Sequence, residues 1–170
     1  MGLDSAGKTS ILTSLKGDNR LSSYFKVTPT KGVSRGDIQD GSTEFNIFDF
    51  GGQEVYVKAY LQDLEQHLFE VDKVIFVIDI QDTKRHSVAL EYLRKVLDHL
   101  ASHHKNVQVS IFFHKFDKLL ENDITLDLGT IAQKLTRDIM KIVPKSMQVE
   151  FFQTSIFTVF QKTRMKAPEI

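Results

Sequence analysis

Residues 2–10, GLDSAGKTS, fit the pattern G-x-x-x-x-G-K-[ST]. Backbone N–H groups of such a loop can turn inward, and the helix that follows adds its positive end, so the loop attracts phosphate oxygens. Asp4, Ser5, Ala6, Gly7, Lys8, Thr9 and Ser10 would line that cradle. Lys8 would reach the β- and γ-phosphates, and the Thr9 hydroxyl would ligate Mg²⁺. The plainer alternative is a surface Gly-Lys turn. A second stretch, Asp49-Phe50-Gly51-Gly52-Gln53, ends an apolar strand in a carboxylate followed by glycines. Asp49 can hold Mg²⁺ through a water, and Gly52 can offer its N–H to a γ-phosphate. Alone it would read as a strand-ending turn; downstream of the first loop the metal reading is the better one. A third piece is Thr28-Pro29-Thr30. Alone it is a loop, but Thr30 could ligate Mg²⁺ only when a γ-phosphate is present, which makes a switch.

Two further stretches suit recognition of a base. The apolar run VSIFF is followed by His114-Lys115-Phe116-Asp117, and EFFQ by Thr154-Ser155-Ile156. Ligands of open α/β sheets bind at the carboxyl ends of strands, so both loops should face the first one. Asp117 can accept from the N1–H and 2-amino group of guanine. Adenine offers neither, and a buried carboxylate left unpaired costs on the order of several kcal/mol. The Lys115 stem can lie over the base. The alternative for His-Lys-x-Asp is a solvated charged loop.

Elements that would position these residues follow from periodicity. Lys8 to Lys16 reads as a helix, Gly17 to Lys31 as a loop, and Val33–Gln39 with Thr43–Phe50 as strands joined at the turn signal Asp40-Gly41. Phe45, Ile47 and Asp49 alternate along the second strand. Glu54 to Glu70 is a polar-apolar helical region. Val74–Ile80 and Val107–Phe113 are nearly continuous apolar runs, as expected of parallel strands covered on both faces. Ser87–Ala101 and Ile131–Ile142 read as helices and Met147–Gln153 as a last strand. Strands alternating with helices predict an α/β domain with a mostly parallel sheet flanked by helices. No repeat or linker divides the chain, so residues 1–170 read as one domain.

Composition narrows the function. The 170 residues carry 22 Lys and Arg against 22 Asp and Glu, which gives no electrostatic footprint for nucleic acid. Cysteine is absent, which excludes disulfides, thiolate catalysis and Cys-ligated metals. No apolar run approaches a membrane span. The start MGLDSA has Ala6 where a myristoylation signal takes Ser or Thr, so Gly2 reads as a loop glycine. His99, His103 and His104 cluster by spacing, but no carboxylate or cysteine joins them in the sequence, and they suit a helix C-terminus. Asp79 and Asp82 read as turn and cap residues.

Five segments in this order resemble the small GTPases of the Ras superfamily, with GxxxxGK[ST], a switch threonine, DxxGQ, NKxD and a Ser-Ala-type loop. HKFD with a later TSI, and the long stretch AYLQDLEQHLFEVDK, look like the Rag/Gtr branch; GLDSAGKTS and TPTKG look like Arf. The resemblance implies a P-loop NTPase (Ras-like) fold. It implies binding of GTP and GDP with Mg²⁺, slow hydrolysis of GTP to GDP and phosphate, and signalling through switch loops. Gln53 stands where members orient the attacking water, and Lys8 where they bind phosphate. Asp4 stands beside the γ-phosphate, where Arf-type members also carry Asp. Ser155 and Ile156 fall in the loop that faces the base. His114 departs from the usual Asn; neutral His has one N–H to give, so affinity for guanine should be lower while Asp117 keeps the specificity. No arginine stands out as acting in cis.

In the family fold a central strand precedes the phosphate loop, and the sequence supplies only Met1 there, so an N-terminally truncated domain is expected. The final helix after Ile156 is short, and the dimerising C-terminal domain of Rag/Gtr proteins is absent. Implied partners are effector, exchange-factor or GTPase-activating proteins, with another GTPase as a conceivable dimer partner, in a cytoplasmic setting with membrane surfaces reached through partners; no nucleic acid and no encoded membrane anchor is expected. Two other functions compete: a nucleotide-holding or nucleotide-free scaffold without useful hydrolysis, and an ATP-using P-loop kinase, which leaves HKFD unexplained.

Overall fold

The computed structural model describes residues 1–17, 27–40, 42–103, 107–117 and 127–156. In chain order they form α1 (Lys8–Leu15), β1 (Val33–Asp40), β2 (Thr43–Phe50), α2 (Glu54–Gln62), α3 (Leu64–Leu68) and β3 (Lys73–Asp79). A 3₁₀ turn at Thr83–Arg85 follows, then α4 (His86–His103), β4 (Gln108–His114), α5 (Leu128–Ile142) and β5 (Val149–Gln153). The expected final helix falls in residues 157–170, outside the described residues, as do residues 18–26 of the expected loop and Gly41 of the expected turn.

Parallel pairing sets the architecture. β3, β4 and β5 lie side by side in that order, with Asp79 opposite His114 and Phe113 opposite Gln153. Val74, Phe76, Val77 and Ile78 are all buried, so β3 is covered on both faces, as its apolar run predicts. The parallel sheet is the one expected, and the two strands read as a hairpin do pair with each other. β1 and β2 form a separate antiparallel hairpin, registered from Val33–Phe50 to Asp40–Thr43. Residues 1–4 bridge the two sheets. The Met1 amino group donates to the Ile75 carbonyl at 2.7 Å, the Val77 N–H donates to the Met1 carbonyl at 2.9 Å, and the Asp4 N–H donates to the Gly52 carbonyl at 2.9 Å.

The core lies between the parallel sheet and α4. Ala89, Tyr92, Leu93, Val96, Leu97 and Leu100 are buried along one side of that helix, at the spacing of an amphipathic face. The Tyr92 ring stands edge-on to Phe76, with centroids 5.2 Å apart. Leu64 and Leu68 of α3, and Ala132, Leu135 and Ile139 of α5, close the cluster.

Two local features add to the sequence reading. The helical region expected from Glu54 to Glu70 is helical through Leu68 and divides into two helices. Asp63 leaves helical angles, at φ −140° and ψ 55°, and its carboxylate accepts from the Gln66 N–H at 3.3 Å, giving α3 its own cap. In β2 the alternation of Phe45, Ile47 and Asp49 does not mark a buried face. Phe45 is 49% exposed and only Asp49 of the three is buried, because the hairpin stands apart from the parallel sheet that carries the core.

Leu97 is fully buried at the centre of α4 and Val88 is half exposed at its start. Leu97→Ala is expected to cost about 2–5 kcal/mol through lost burial and a residual cavity, and Val88→Ala within about 0.5 kcal/mol. Urea midpoints at constant slope check the contrast.

Candidate functional site

The phosphate-loop segment runs from its bonds with β3 into α1 with three residues at positive φ, Gly2 at 131°, Ser5 at 59° and Gly7 at 88°. Gly7 needs to be glycine twice over. Its φ disfavours a side chain, and a Cβ would come within 2.4 Å of the His114 ring. Lys8 follows as the first residue of α1, is buried, and donates from Nζ to the Leu3 carbonyl at 2.7 Å. Burial lowers its ammonium to about 8, with Asp49 and Asp4 opposing that shift. A buried cation at a helix start, inside a left-handed loop, is the charge complement of a phosphate. Asp4, Ser5, Ala6, Thr9 and Ser10 lie around it, with Ala6 buried and Ser5 exposed.

Thr9, Thr30 and Asp49 come from α1, the segment before β1 and the end of β2. They converge on one point. The Thr9 and Thr30 hydroxyls donate to Asp49 Oδ2 at 2.6 and 3.1 Å and lie 3.0 Å from each other. Asp49 is buried, so these bonds satisfy a carboxylate that would otherwise be costly to bury. Two hydroxyls and a carboxylate are all-oxygen donors of the kind Mg²⁺ takes. Gly52 abuts the phosphate loop so closely that a Cβ would sit 2.2 Å from the Asp4 nitrogen. Gln53 stands at the N-terminal boundary of α2, where its carbonyl accepts from the Tyr56 and Val57 N–H groups and its side chain does not cap the helix.

The loops after β4 and β5 are tied together and to the phosphate loop. His114 is buried, with Nδ1 at 2.9 Å from the Thr154 hydroxyl and its ring against Gly7. The Phe116 N–H donates to the Thr154 carbonyl at 3.1 Å. Lys115 has φ 60°, accepts at its carbonyl from Gln81 Nε2, and donates from Nζ to Asp79 Oδ2 at 2.6 Å. Asp117 Oδ1 and Ser155 Oγ are buried and have no hydrogen-bond partner among the described residues, and Ile156, next to Ser155 in the chain, is partly buried. Buried polar atoms are nearly always paired, so this pair of orphans fits a ligand that brings N–H donors.

Arg85 was not found by sequence reasoning. Its guanidinium reaches Asp4 Oδ1 from Nη1 and Asp82 Oδ2 from Nε, both at 2.5 Å. Asp82 pairs with it and does not cap the 3₁₀ turn through its side chain, contrary to expectation; Asp79 does hold the turn, accepting from the Gln81 N–H at 3.0 Å. The i,i+3 spacing of Asp82 and Arg85 was a readable signal. The pairing of Arg85 with Asp4, distant in sequence, was not.

Burial pushes the His114 imidazole below its ordinary value; Lys115 adds to the shift, while Asp117 and Asp79 oppose it. The unfolded chain therefore takes up this proton first, and the stability held by neutral His114 is lost as pH falls below about 6.5. Between about pH 7.5 and 5.5 the melting temperature should fall more steeply for the native chain than for His114→Asn, measured by thermal scans in matched ionic strength.

A family profile described as the Gtr1/RagA G protein conserved region matches residues 1–161. The zebrafish (Danio rerio) ADP-ribosylation factor-like protein 6 is 35% identical over 118 residues, covering 69% of this chain and 60% of that protein. Ras-related GTP-binding protein A of Dictyostelium discoideum is 20% identical over 159 residues, covering 92% of this chain and 52% of that protein. The chain thus spans less than two thirds of the length of these relatives. Among solved structures, the Arl6 BBS3 small GTPase of Trypanosoma brucei with bound nucleotide analogue GppNp superposes with a TM-score of 0.66 at 22% identity, over 91% of this chain and 83% of that one. That likeness gives the fold, a P-loop NTPase fold with a parallel sheet flanked by helices. With the family profile running over nearly the whole sequence, the chain belongs to the Gtr1/RagA G proteins, small GTPases of the Ras superfamily.

Proposed function

We propose that the chain is a guanine-nucleotide-binding switch that binds GTP or GDP with Mg²⁺ and hydrolyses GTP slowly. The observation that carries this reading is the meeting of Thr9, Thr30 and Asp49 at one oxygen, in front of a buried Lys8. Thr9, Thr30 and Asp49 would hold Mg²⁺, which when bound neutralises charge on the β- and γ-phosphates. Lys8 and the N–H groups of residues 4–10 would bind the phosphates. Asp117 would accept from guanine and Ser155 and Ile156 would face the base, with the unpartnered Asp117 Oδ1 and Ser155 Oγ supporting this assignment.

His114 acts in this reading as a brace more than a base contact, since its ring fills the space against Gly7 and its Nδ1 meets Thr154. Lys115 lies along the site, fixed at its tip by Asp79. Gln53 orients the attacking water. Thr30 is the residue that reports the γ-phosphate, because it reaches the site from the segment before β1 and is held there by one shared acceptor. Residues 1–170 act as one domain in a cytoplasmic setting. The partners are effector, exchange and GTPase-activating proteins that recognise the segments around Thr30 and after Gly52, and another GTPase as dimer partner belongs to the same class.

Single-turnover hydrolysis tests the switch. With GTP and Mg²⁺ the chain alone should turn over at roughly 10⁻⁴ per second, and Gln53→Leu should slow this by roughly 10–100-fold through loss of water positioning. Tight binding without turnover in the native chain would make it a nucleotide-holding scaffold instead.

Arg85 offsets the charge of Asp4, which lies close enough to Lys8 to raise its affinity for a proton. Arg85→Ala should therefore weaken a non-hydrolysable GTP analogue by about two- to fivefold more than GDP, the scale of a partly exposed ion pair. Adding Asp4→Asn should remove the difference. Titration calorimetry of the four proteins reads the cycle.

A further inference from the structure

His99 and His103, one turn apart near the end of α4, have the carboxylate that the sequence did not reveal. Glu65, on α3, places Oε2 3.3 Å from His99 Nε2. His103 lies one turn beyond His99, with the two rings stacked at a centroid distance of 4.5 Å and an interplanar angle of 22°. Its Nδ1 donates to the His99 carbonyl at 3.0 Å. A carbonyl oxygen can only accept, so Nδ1 carries a proton, and in the neutral ring the lone pair is then on Nε2. A backbone carbonyl fixing the tautomer of one ring nitrogen is the usual support for a metal bond at the other. One ligand atom from each of Glu65, His99 and His103 falls within 4.8 Å of the others.

We propose that Glu65, His99 and His103 bind a divalent transition-metal ion, with zinc the representative case. Zinc bonds of roughly 2.0–2.1 Å in a tetrahedron set ligand atoms about 3.3 Å apart, the separation already present between Glu65 and His99. Two imidazoles with one carboxylate select zinc-like ions over Mg²⁺ and Ca²⁺, which take oxygen ligands. His99 is only 14% exposed, and both helices are anchored through Leu64, Leu68, Val96, Leu97 and Leu100, so two of the three ligands sit on fixed backbone. The ion sits between His99 Nε2 and Glu65 Oε2, with a water in the fourth position. The bond pins α3, which follows Gln53 and α2, to α4, the helix at the centre of the core. His104, also considered with this pair, lies outside the described residues.

The test uses the full chain, stripped with EDTA and returned to chelator-free buffer, titrated with Zn²⁺ and separately with Mg²⁺ by calorimetry. Glu65→Gln and His103→Ala alter exposed side chains, and their zinc-free melting temperatures verify folding. The native chain should take up one Zn²⁺ with a raised melting temperature. Each variant should lose affinity by more than the roughly 10–100-fold that removal of an outer-shell partner costs. The same zinc response in either folded variant would place the ion elsewhere, and no zinc binding by the native chain would remove the site; either result overturns the proposal.

Discussion

One oxygen, Asp49 Oδ2, holds together three segments that lie apart in the sequence. A carboxylate buried at the end of β2 has to be compensated. The compensation comes from the hydroxyl that opens α1, the hydroxyl that precedes β1, and the buried Lys8 ammonium nearby. Each donor also has its own structural reason for being there. Thr9 is carried by the first turn of a helix that a left-handed Gly7 starts, and Thr30 is kept near β2 by the Gly51 N–H bonded to the Gly32 carbonyl at 2.9 Å. The charge balance at Asp49 therefore fixes the geometry of the side of the site proposed to hold phosphates.

The parallel sheet fixes the side proposed to face the base. Because β3, β4 and β5 run in the same direction, their carboxyl ends meet at one edge, and Asp79, His114 and Gln153 deliver their loops there. Backbone bonds between Phe116 and Thr154, and the contact of His114 with Gly7, then join this edge to the phosphate loop. A histidine at position 114 spans from Gly7 to Thr154 as a buried, neutral brace. The ion pairs at Arg85 with Asp4 and Lys115 with Asp79 sit on the same edge. Buried charge is thus gathered where polar ligands of α/β sheets bind, while Ser110, buried in β4, is uncharged.

Much of this was legible in the sequence because the relevant signals are local. The apolar runs gave β3 and β4 to within one residue, and the glycines and Lys8 gave the cradle before α1. Long-range pairings were not legible. Asp63 looks like one more polar helical residue until its cap on Gln66 breaks the region in two. The separation of the β1–β2 hairpin from the parallel sheet depends on which strands find partners, which alternation cannot tell. Arg85 with Asp4, and Glu65 with His99, unite residues on different elements through folding alone.

The central claim is that the edge of the parallel sheet is shaped for guanine, with Asp117 as the discriminating group. The most direct measurement is a thermal shift of the purified chain with Mg²⁺ and GDP, GTP, ADP or ATP at matched concentrations. A nucleotide at a hundred times its Kd stabilises by about 2.7 kcal/mol, which is readily seen as a raised melting point. A rise with GDP and GTP and none with ADP or ATP is the predicted result. A cooperative melt unmoved by any of the four, or moved equally by guanine and adenine nucleotides, would contradict it.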